Sequence, residues 1–271
     1  MKTHAAFTSL AHRDGHFDAD ERVLAEERAV AISYNGTTHV VLMATPADLT
    51  DLALGFSLTE GIVSGSDQIG DIEAEEGPLG IDLRVWLKDD AASALESRRR
   101  NMVGPVGCGL CGIESLEEAM RLAPPVSGGV SLDSGEIAET VAALAAGQSL
   151  NARTRSVHAA GFFRPGGGIV ALREDVGRHN ALDKLVGAVT GDGIDMADGA
   201  IVVTSRLSVE LVQKCAYGGS GMLIAVSAPT VLAVEMARRA NITLVAVVRG
   251  GDFEVFTHPE RVTSKALSHV S

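Results

Sequence analysis

Residues Ile201–Val248 read IVVTSRLSVELVQKCAYGGSGMLIAVSAPTVLAVEMARRANITLVAVV. Ile201–Val203, Leu223–Val226 and Ile242–Val248 are short apolar runs of the kind a strand buried on both faces requires. Helical stretches near 208–217 and 230–240 separate them, and β-α-β-α-β order predicts parallel strands joined by right-handed crossovers. Working upstream, Phe162-Phe163 and Ile169–Leu172 flank Pro165-Gly166-Gly167-Gly168 and predict a hairpin. Ala181, Leu182, Leu185, Val186 and Val189 then mark one face of a helix. The C-terminal half is therefore expected to be an α/β domain.

The N-terminal half reads as a smaller α+β domain. Ala29–Tyr34 and Thr38–Met43 are strand-like runs joined by Asn35-Gly36, a turn pair that tolerates positive φ. Thr45-Pro46 has the form of an N-cap and first-turn proline, and Leu49, Leu52, Ala53 and Phe56 follow at helical spacing up to Gly61. Ile81, Leu83, Val85 and Leu87 alternate with Asp82, Arg84, Trp86 and Lys88, as in a strand with one face buried. A helix is expected after it, ending near Arg98-Arg99-Arg100. Leu122–Ser131 is rich in proline and glycine, and Asp133 with Glu136 matches a capping box at the start of the next helix. These signals predict a tail over residues 1–20, an N-terminal domain over 21–130 and a C-terminal domain over 131–271.

The balance of 35 Asp and Glu against 23 Lys and Arg gives a net charge of −12, which repels a polyanionic backbone and argues against general nucleic-acid binding. Three cysteines in 271 residues make no disulfide framework, which fits a reducing, cytoplasmic setting. The first twenty residues lack the apolar run of a secretory signal, and Met222–Val234 is too short and too interrupted to span a bilayer, so no membrane segment is expected.

Cys108 and Cys111 form a CxxC pair inside Gly104–Gly112, GPVGCGLCG, which runs into a helical pattern at Ile113, Leu116 and Met120. A free thiol of pKa about 8.5 is mostly protonated at neutral pH, and a glycine loop entering a helix offers N–H donors and a dipole end that favour the thiolate. The glycines also leave room for a bulky sulfur donor or acceptor. A CxxC is equally half of a zinc site or a thioredoxin-like dithiol. No second CxxC or HxxxH pair completes the zinc set, and a mid-chain glycine loop is not the thioredoxin position. Cys215 shares an apolar helix face with Leu211 and Val212 and reads as a buried, inert thiol.

Glu174-Asp175-Val176-Gly177-Arg178-His179-Asn180 admits two readings. In one, Gly177 turns, Asn180 caps the next helix and the charges lie in solvent. In the other, Arg178, His179 and Lys184 gather positive charge at a helix N-terminus, as a phosphate-bearing ligand needs. His158 resembles the first ligand of a zinc deaminase, but Ala160 stands where that signature has its general acid–base Glu. It is either a packed histidine or a ligand contact. Val247-Val248-Arg249-Gly250-Gly251-Asp252 ends the last parallel strand, where open α/β sheets place ligands, and also reads as an ordinary hairpin into Phe253–Thr257.

Together these segments closely resemble the FdhD/NarQ family of formate dehydrogenase accessory sulfurtransferases. The resemblance runs through Glu26-Glu27, Asn35-Gly36, Met43–Pro46, Leu54-Gly55-Phe56, Glu60-Gly61, Cys108–Gly112, His158-Ala159-Ala160, Glu174–Ala181 with Asp183-Lys184, Ser227–Thr230 and Thr243-Leu244-Val245. It departs at Arg155-Ser156-Val157, where the family usually carries a Thr-Gly-Gly-type run, and at Thr204-Ser205-Arg206, where Ser-Gly-Arg is usual. The resemblance implies a cytidine-deaminase-like C-terminal domain, a homodimer, and Cys108 as the persulfide carrier. It implies a cysteine desulfurase as sulfur donor. The acceptor would be the bis(molybdopterin guanine dinucleotide) form of the molybdenum cofactor, a bound substrate on its way to the catalytic subunit of formate dehydrogenase, with no resident metal. Cofactor contacts are implied at Val247–Asp252. The rival functions are a zinc hydrolase of deaminase type and a non-catalytic chaperone for cofactor or apoenzyme.

Overall fold

A computed structural model describes residues 1–102 and 121–264. The glycine loop 104–112, with Cys108 and Cys111, lies outside them.

The chain opens with β1 (His4–Arg13) and β2 (His16–Ala25), paired antiparallel from His4↔Ala25 to Arg13↔His16. The turn uses Asp14 at φ 50° and Gly15 at φ 86°, left-handed values that match the twist of a tight hairpin. Residues 4–13 and 16–25 are thus strand where a tail over 1–20 is expected. Their ladder is built by backbone bonds that the weak apolar alternation of the sequence does not announce.

β3 (Arg28–Tyr34) and β4 (Thr37–Ala44) form the expected hairpin, with Asn35 at φ 47° and Gly36 at φ 82°. β5 (Ile69–Gly77) and β6 (Gly80–Leu87) complete a four-stranded sheet ordered β4-β3-β6-β5, in which β3 and β6 run parallel. Val30, Ile32, Ile81, Leu83 and Val85 alternate onto its buried face, beneath α1 (Leu49–Thr59). The helix starts three residues later than Thr45-Pro46 predicts. Asp48, at φ 52°, occupies the cap position, because both the amide and the hydroxyl of Thr45 are engaged with the other half of the molecule. α2 (Asp89–Met102) follows β6.

After β7 (Leu132–Asp133), α3 (Ser134–Gly147) begins with the expected capping box: Asp133 accepts from the Gly135 and Glu136 amides while Glu136 accepts from the Asp133 amide at 2.9 Å. A short α4 (Ser149–Thr154) leads to the expected hairpin of β8 (His158–Arg164) and β9 (Gly168–Asp175). Then α5 (Arg178–Gly191), β10 (Ala200–Val203), α6 (Val209–Gly218), β11 (Met222–Ala225), α7 (Val231–Arg239), β12 (Thr243–Arg249) and β13 (Asp252–Thr257) follow in the alternation read from the sequence. The six strands lie in the order β13-β12-β11-β10-β8-β9, with β10, β11 and β12 parallel and β8 antiparallel to β10. A short β14 (Val262–Thr263) pairs with β7.

Both faces of the larger sheet are covered. Ile137 and Leu144 of α3 pack with Phe163, Val202, Ile224 and Val245 on one side. On the other, Leu182, Leu185, Leu211 and Ala233 pack with Phe162, Ile201, Leu223 and Leu244. The second cluster continues without a break into Leu52, Ile32 and Leu83 beneath the smaller sheet. α1 and α5 cross there at backbone contact: a Cβ on Gly55 would stand 1.7 Å from the Asp183 carbonyl oxygen, and one on Gly187 would stand 2.0 Å from that of Asp51. Among the described residues no helix is long and apolar enough to cross a membrane.

Candidate functional site

The three parallel strands end on one edge of the sheet, at Thr204-Ser205-Arg206, at Val226-Ser227 and at the turn following β12. Because β8 runs antiparallel to β10, its first residue, His158, comes to that same edge. Thr204 closes the corner, its hydroxyl accepting from the Ala159 amide at 3.0 Å and its own amide donating to the Ala159 carbonyl at 3.1 Å. His158 pairs across the ladder with Asp175, the last residue of β9, and α5 starts three residues further on at Arg178. The topology therefore gathers His158, Arg178, His179 and Thr204–Arg206 at the carboxyl end of the sheet, where doubly wound proteins hold ligands.

Asp175 fixes that corner. It is fully buried; one oxygen accepts from the Gly177 amide at 2.8 Å and the Asn180 amide group at 3.0 Å, the other from the Thr45 amide at 3.0 Å and Lys184 Nζ at 2.6 Å. Lys184 also donates to the Thr45 carbonyl at 2.9 Å, and Asn180 to the Met43 carbonyl at 2.8 Å. Glu174 accepts from the Leu150 and Asn151 amides, both at 2.8 Å, at the start of α4.

Three expectations change accordingly. Asn180 does not cap its own helix, since its side chain is spent on the β4–α1 connection. Glu174 and Asp175 are not in solvent. Lys184 cannot meet a ligand: none of its side chain is exposed, and its charge is consumed by Asp175.

What remains for an anion is Arg178, Arg206 and the N-terminus of α5, capped at Gly177 by no side chain. The histidines add little charge. Burial, and then the Arg178 guanidinium, push both His158 and His179 below the ordinary imidazole value, with Asp175 opposing at His158 and Glu210 at His179. His179 Nε2 lies 3.2 Å from Glu210 Oε2, a carboxylate held in turn by the Ser208 hydroxyl at 3.0 Å.

Val247–Asp252 lies on the same edge three strand positions away, about 14 Å at the usual inter-strand spacing. The hairpin reading holds there: the chain turns at Gly250, φ 60°, and Gly251 into β13. Val247 itself sits at φ 57°, a left-handed conformation that a β-branched residue adopts only when its surroundings enforce it. The enforcement is a bulge between Ala246 and Arg249 and a hydrogen bond from the Val247 amide to the Ser227 carbonyl at 3.4 Å. Val248 is buried in the core, so only its backbone can face a ligand. Arg249, Gly250, Gly251 and Asp252 are exposed.

A second buried cluster escaped the sequence reading. Lys214 Nζ is 2.9 and 3.0 Å from the two Asp183 oxygens, 2.7 Å from Glu60 Oε1 and 3.1 Å from the Thr59 hydroxyl, which donates to Asp183 at 2.6 Å. Burial disfavours the Lys214 charge, yet Asp183 and Glu60 outweigh it and hold the ammonium above its ordinary pKa. The available signal was two charged residues, Asp183 and Lys184, inside the otherwise apolar face of α5. Cys215 matches its reading: it is fully buried, and burial pushes its thiol up to about 12.

Residues 25–263 match the FdhD/NarQ family. The chain is 56% identical over 253 residues to the sulfur carrier protein FdhD of Agrobacterium fabrum, covering 93% of each chain. It is 46% identical to that of Cupriavidus necator, covering 97% of this chain and 92% of the other. Among solved structures, a protein of Desulfotalea psychrophila assigned as a formate dehydrogenase accessory protein superposes with a TM-score of 0.77 at 26% identity, covering 97% of this chain and all of that one.

Proposed function

This chain belongs to the FdhD/NarQ family, and we propose that it is a cytoplasmic sulfur carrier serving the maturation of formate dehydrogenase. The observation that carries the reading is that the matched span contains Cys108 and Cys111 together with every residue of the edge described above.

In this reading a cysteine desulfurase presents a persulfide. The Cys108 thiolate attacks its terminal sulfur, the donor cysteine leaves as thiolate, and Cys108 holds the sulfur as a persulfide. The Cys111 thiolate then attacks Cys108 Sγ. The terminal sulfur departs as hydrosulfide toward the molybdenum substrate, and the resulting Cys108–Cys111 disulfide is reopened by a cellular thiol reductant. Both steps balance, because the two thiols supply the two electrons that take the sulfur to sulfide.

The substrate, bis(molybdopterin guanine dinucleotide)-bound molybdenum, carries phosphates. We assign these to the sheet edge: the α5 N-terminus with Arg178 at one end, and the backbone of Val247–Asp252 at the other. His158 and His179, neutral at pH 7, serve as hydrogen-bonding groups rather than as cations. The hairpin β8–β9 leading into the parallel strands supports a deaminase-like arrangement for the larger unit, with Ala160 in place of the deaminase Glu removing hydrolysis. The carrier acts as a homodimer and hands its product to the catalytic subunit of formate dehydrogenase.

The test is direct. After incubation with a cysteine desulfurase and cysteine, mass spectrometry is expected to find one added sulfur on the peptide containing Cys108. Cys108→Ala should abolish it, and Cys111→Ala should retain it while slowing release to an acceptor thiol. Absence of any added sulfur on the wild-type peptide overturns the carrier reading.

A further inference from the structure

The β1–β2 hairpin ends at residue 25, where the family match begins. At its base the ladder runs one pair further, the Glu26 amide donating to the Thr3 carbonyl at 2.8 Å, and Arg153 Nη1 of α4 lies 3.3 Å from His4 Nε2. Beyond that base the ribbon stands in solvent on both faces, with Phe7 56%, Leu10 69% and Phe17 66% exposed. A two-stranded ribbon without cover is marginal in water, and large apolar side chains left bare on it mark a contact surface.

The two edges of the ribbon differ. β2, HFDADERVLA, carries Asp18, Asp20, Glu21 and Arg22 and lies against α4. β1, HAAFTSLAHR, has no Asp, Glu, Lys or Arg from Thr3 to His12, and no described strand pairs with its outer edge. An edge strand of ten residues whose first nine carry no Asp, Glu, Lys, Arg or proline, and which lacks cover, is a template for another strand.

We propose that β1 pairs antiparallel with β1 of a second copy of this chain, joining two ribbons into one four-stranded sheet about a two-fold axis. The charges select this occupant. On a chain of net charge −12 most surfaces of two copies repel, whereas the Thr3–His12 edge carries no carboxylate to do so. The register that sets Thr8 opposite Thr8 lays Lys2 of each copy beside Asp14 of the other. It also pairs Ala6 with Leu10 and Phe7 with Ser9, and brings the two Phe7 rings into diagonal contact. The intrachain ion pair of Arg13 with Asp20 is left intact. This contact takes up the homodimer proposed above and no part of the sulfur chemistry.

Analytical ultracentrifugation of the full chain over a range of concentrations tests it. The wild type is expected to reach a dimer. Thr8→Lys sets two ammonium groups against each other on the axis and should raise the dissociation constant at least about tenfold. Ala19→Lys makes the same charge change on β2 and should leave dimerisation unaltered. Lys2→Glu should weaken the dimer, and added salt should relieve that weakening. Unchanged melting temperatures establish that the variants fold. A monomeric wild type defeats both the homodimer and the arm; a dimer that Thr8→Lys leaves as tight as wild type, or that Ala19→Lys weakens equally, defeats the arm alone.

Discussion

Lys184 carries its charge to a place no water reaches, and what makes that tolerable is one carboxylate, Asp175, 2.6 Å away. The pair is asymmetric in its support. Among the described residues, Asp175 accepts from three other donors, the amides of Thr45 and Gly177 and the side chain of Asn180, whereas Lys184 has only Asp175 and the Thr45 carbonyl. Asp175→Asn therefore strands a buried ammonium and should cost about 3–5 kcal/mol. Lys184→Met leaves Asp175 three donors and fills the same space, so it should cost clearly less. Urea unfolding of the two variants measures the difference, and equal losses would contradict this assignment of support. None of this asymmetry was legible beforehand. Glu174–Asn180 shows charges at a helix start, which suits a ligand site as well as a structural knot, and the partner that decides between them, Thr45, lies 130 residues upstream of Asp175.

Elements defined by neighbours in sequence were readable because their causes are local. Asn35-Gly36, the Asp133–Glu136 capping box and the apolar runs of β10, β11 and β12 each carry their own instructions within a few residues. Thr45-Pro46 has the form of a helix start, yet its role is set by Asp175 and Val176 far along the chain, and the β1–β2 ribbon reads as a tail because its apolar residues lie on faces that stay exposed. The α1–α5 crossing belongs to the same class. Gly55 and Gly187 lie in helix interiors, where glycine weakens a helix by roughly 1 kcal/mol, so their presence calls for a reason outside the helix. The reason is contact: the Gly55 Cβ direction points into the Asp183 carbonyl. Gly55→Ala gains helix propensity yet must push two backbones apart, and a net loss of at least about 3 kcal/mol is expected from the urea midpoint. A neutral or stabilising result would mean that the helices separate freely.

For the molecule as a whole, two sheets share one apolar cluster, and the buried Lys214 knot joins them. Thr59 and Glu60 come from the smaller unit, Asp183 and Lys214 from the larger; the Lys214 ammonium binds the other three, and of the four side chains Glu60 alone reaches solvent appreciably. Opening the seam would strand Asp183 and Lys214 in partly apolar surroundings while exposing Leu52, Leu182 and Leu185, so neither unit gains by unfolding first. The two halves can be watched separately. Trp86, the single tryptophan, reports the smaller sheet by fluorescence, and labelling of the Cys215 peptide reports the larger one, because this thiol is fully buried. Their denaturation midpoints are expected to coincide, and Lys214→Met, which removes the ammonium bound to both oxygens of buried Asp183, should lower both together by about 3–5 kcal/mol. A Trp86 transition that precedes Cys215 labelling, or a Lys214→Met loss confined to one probe, would show that the units are coupled by apolar contact alone and that the charged knot holds only its own side.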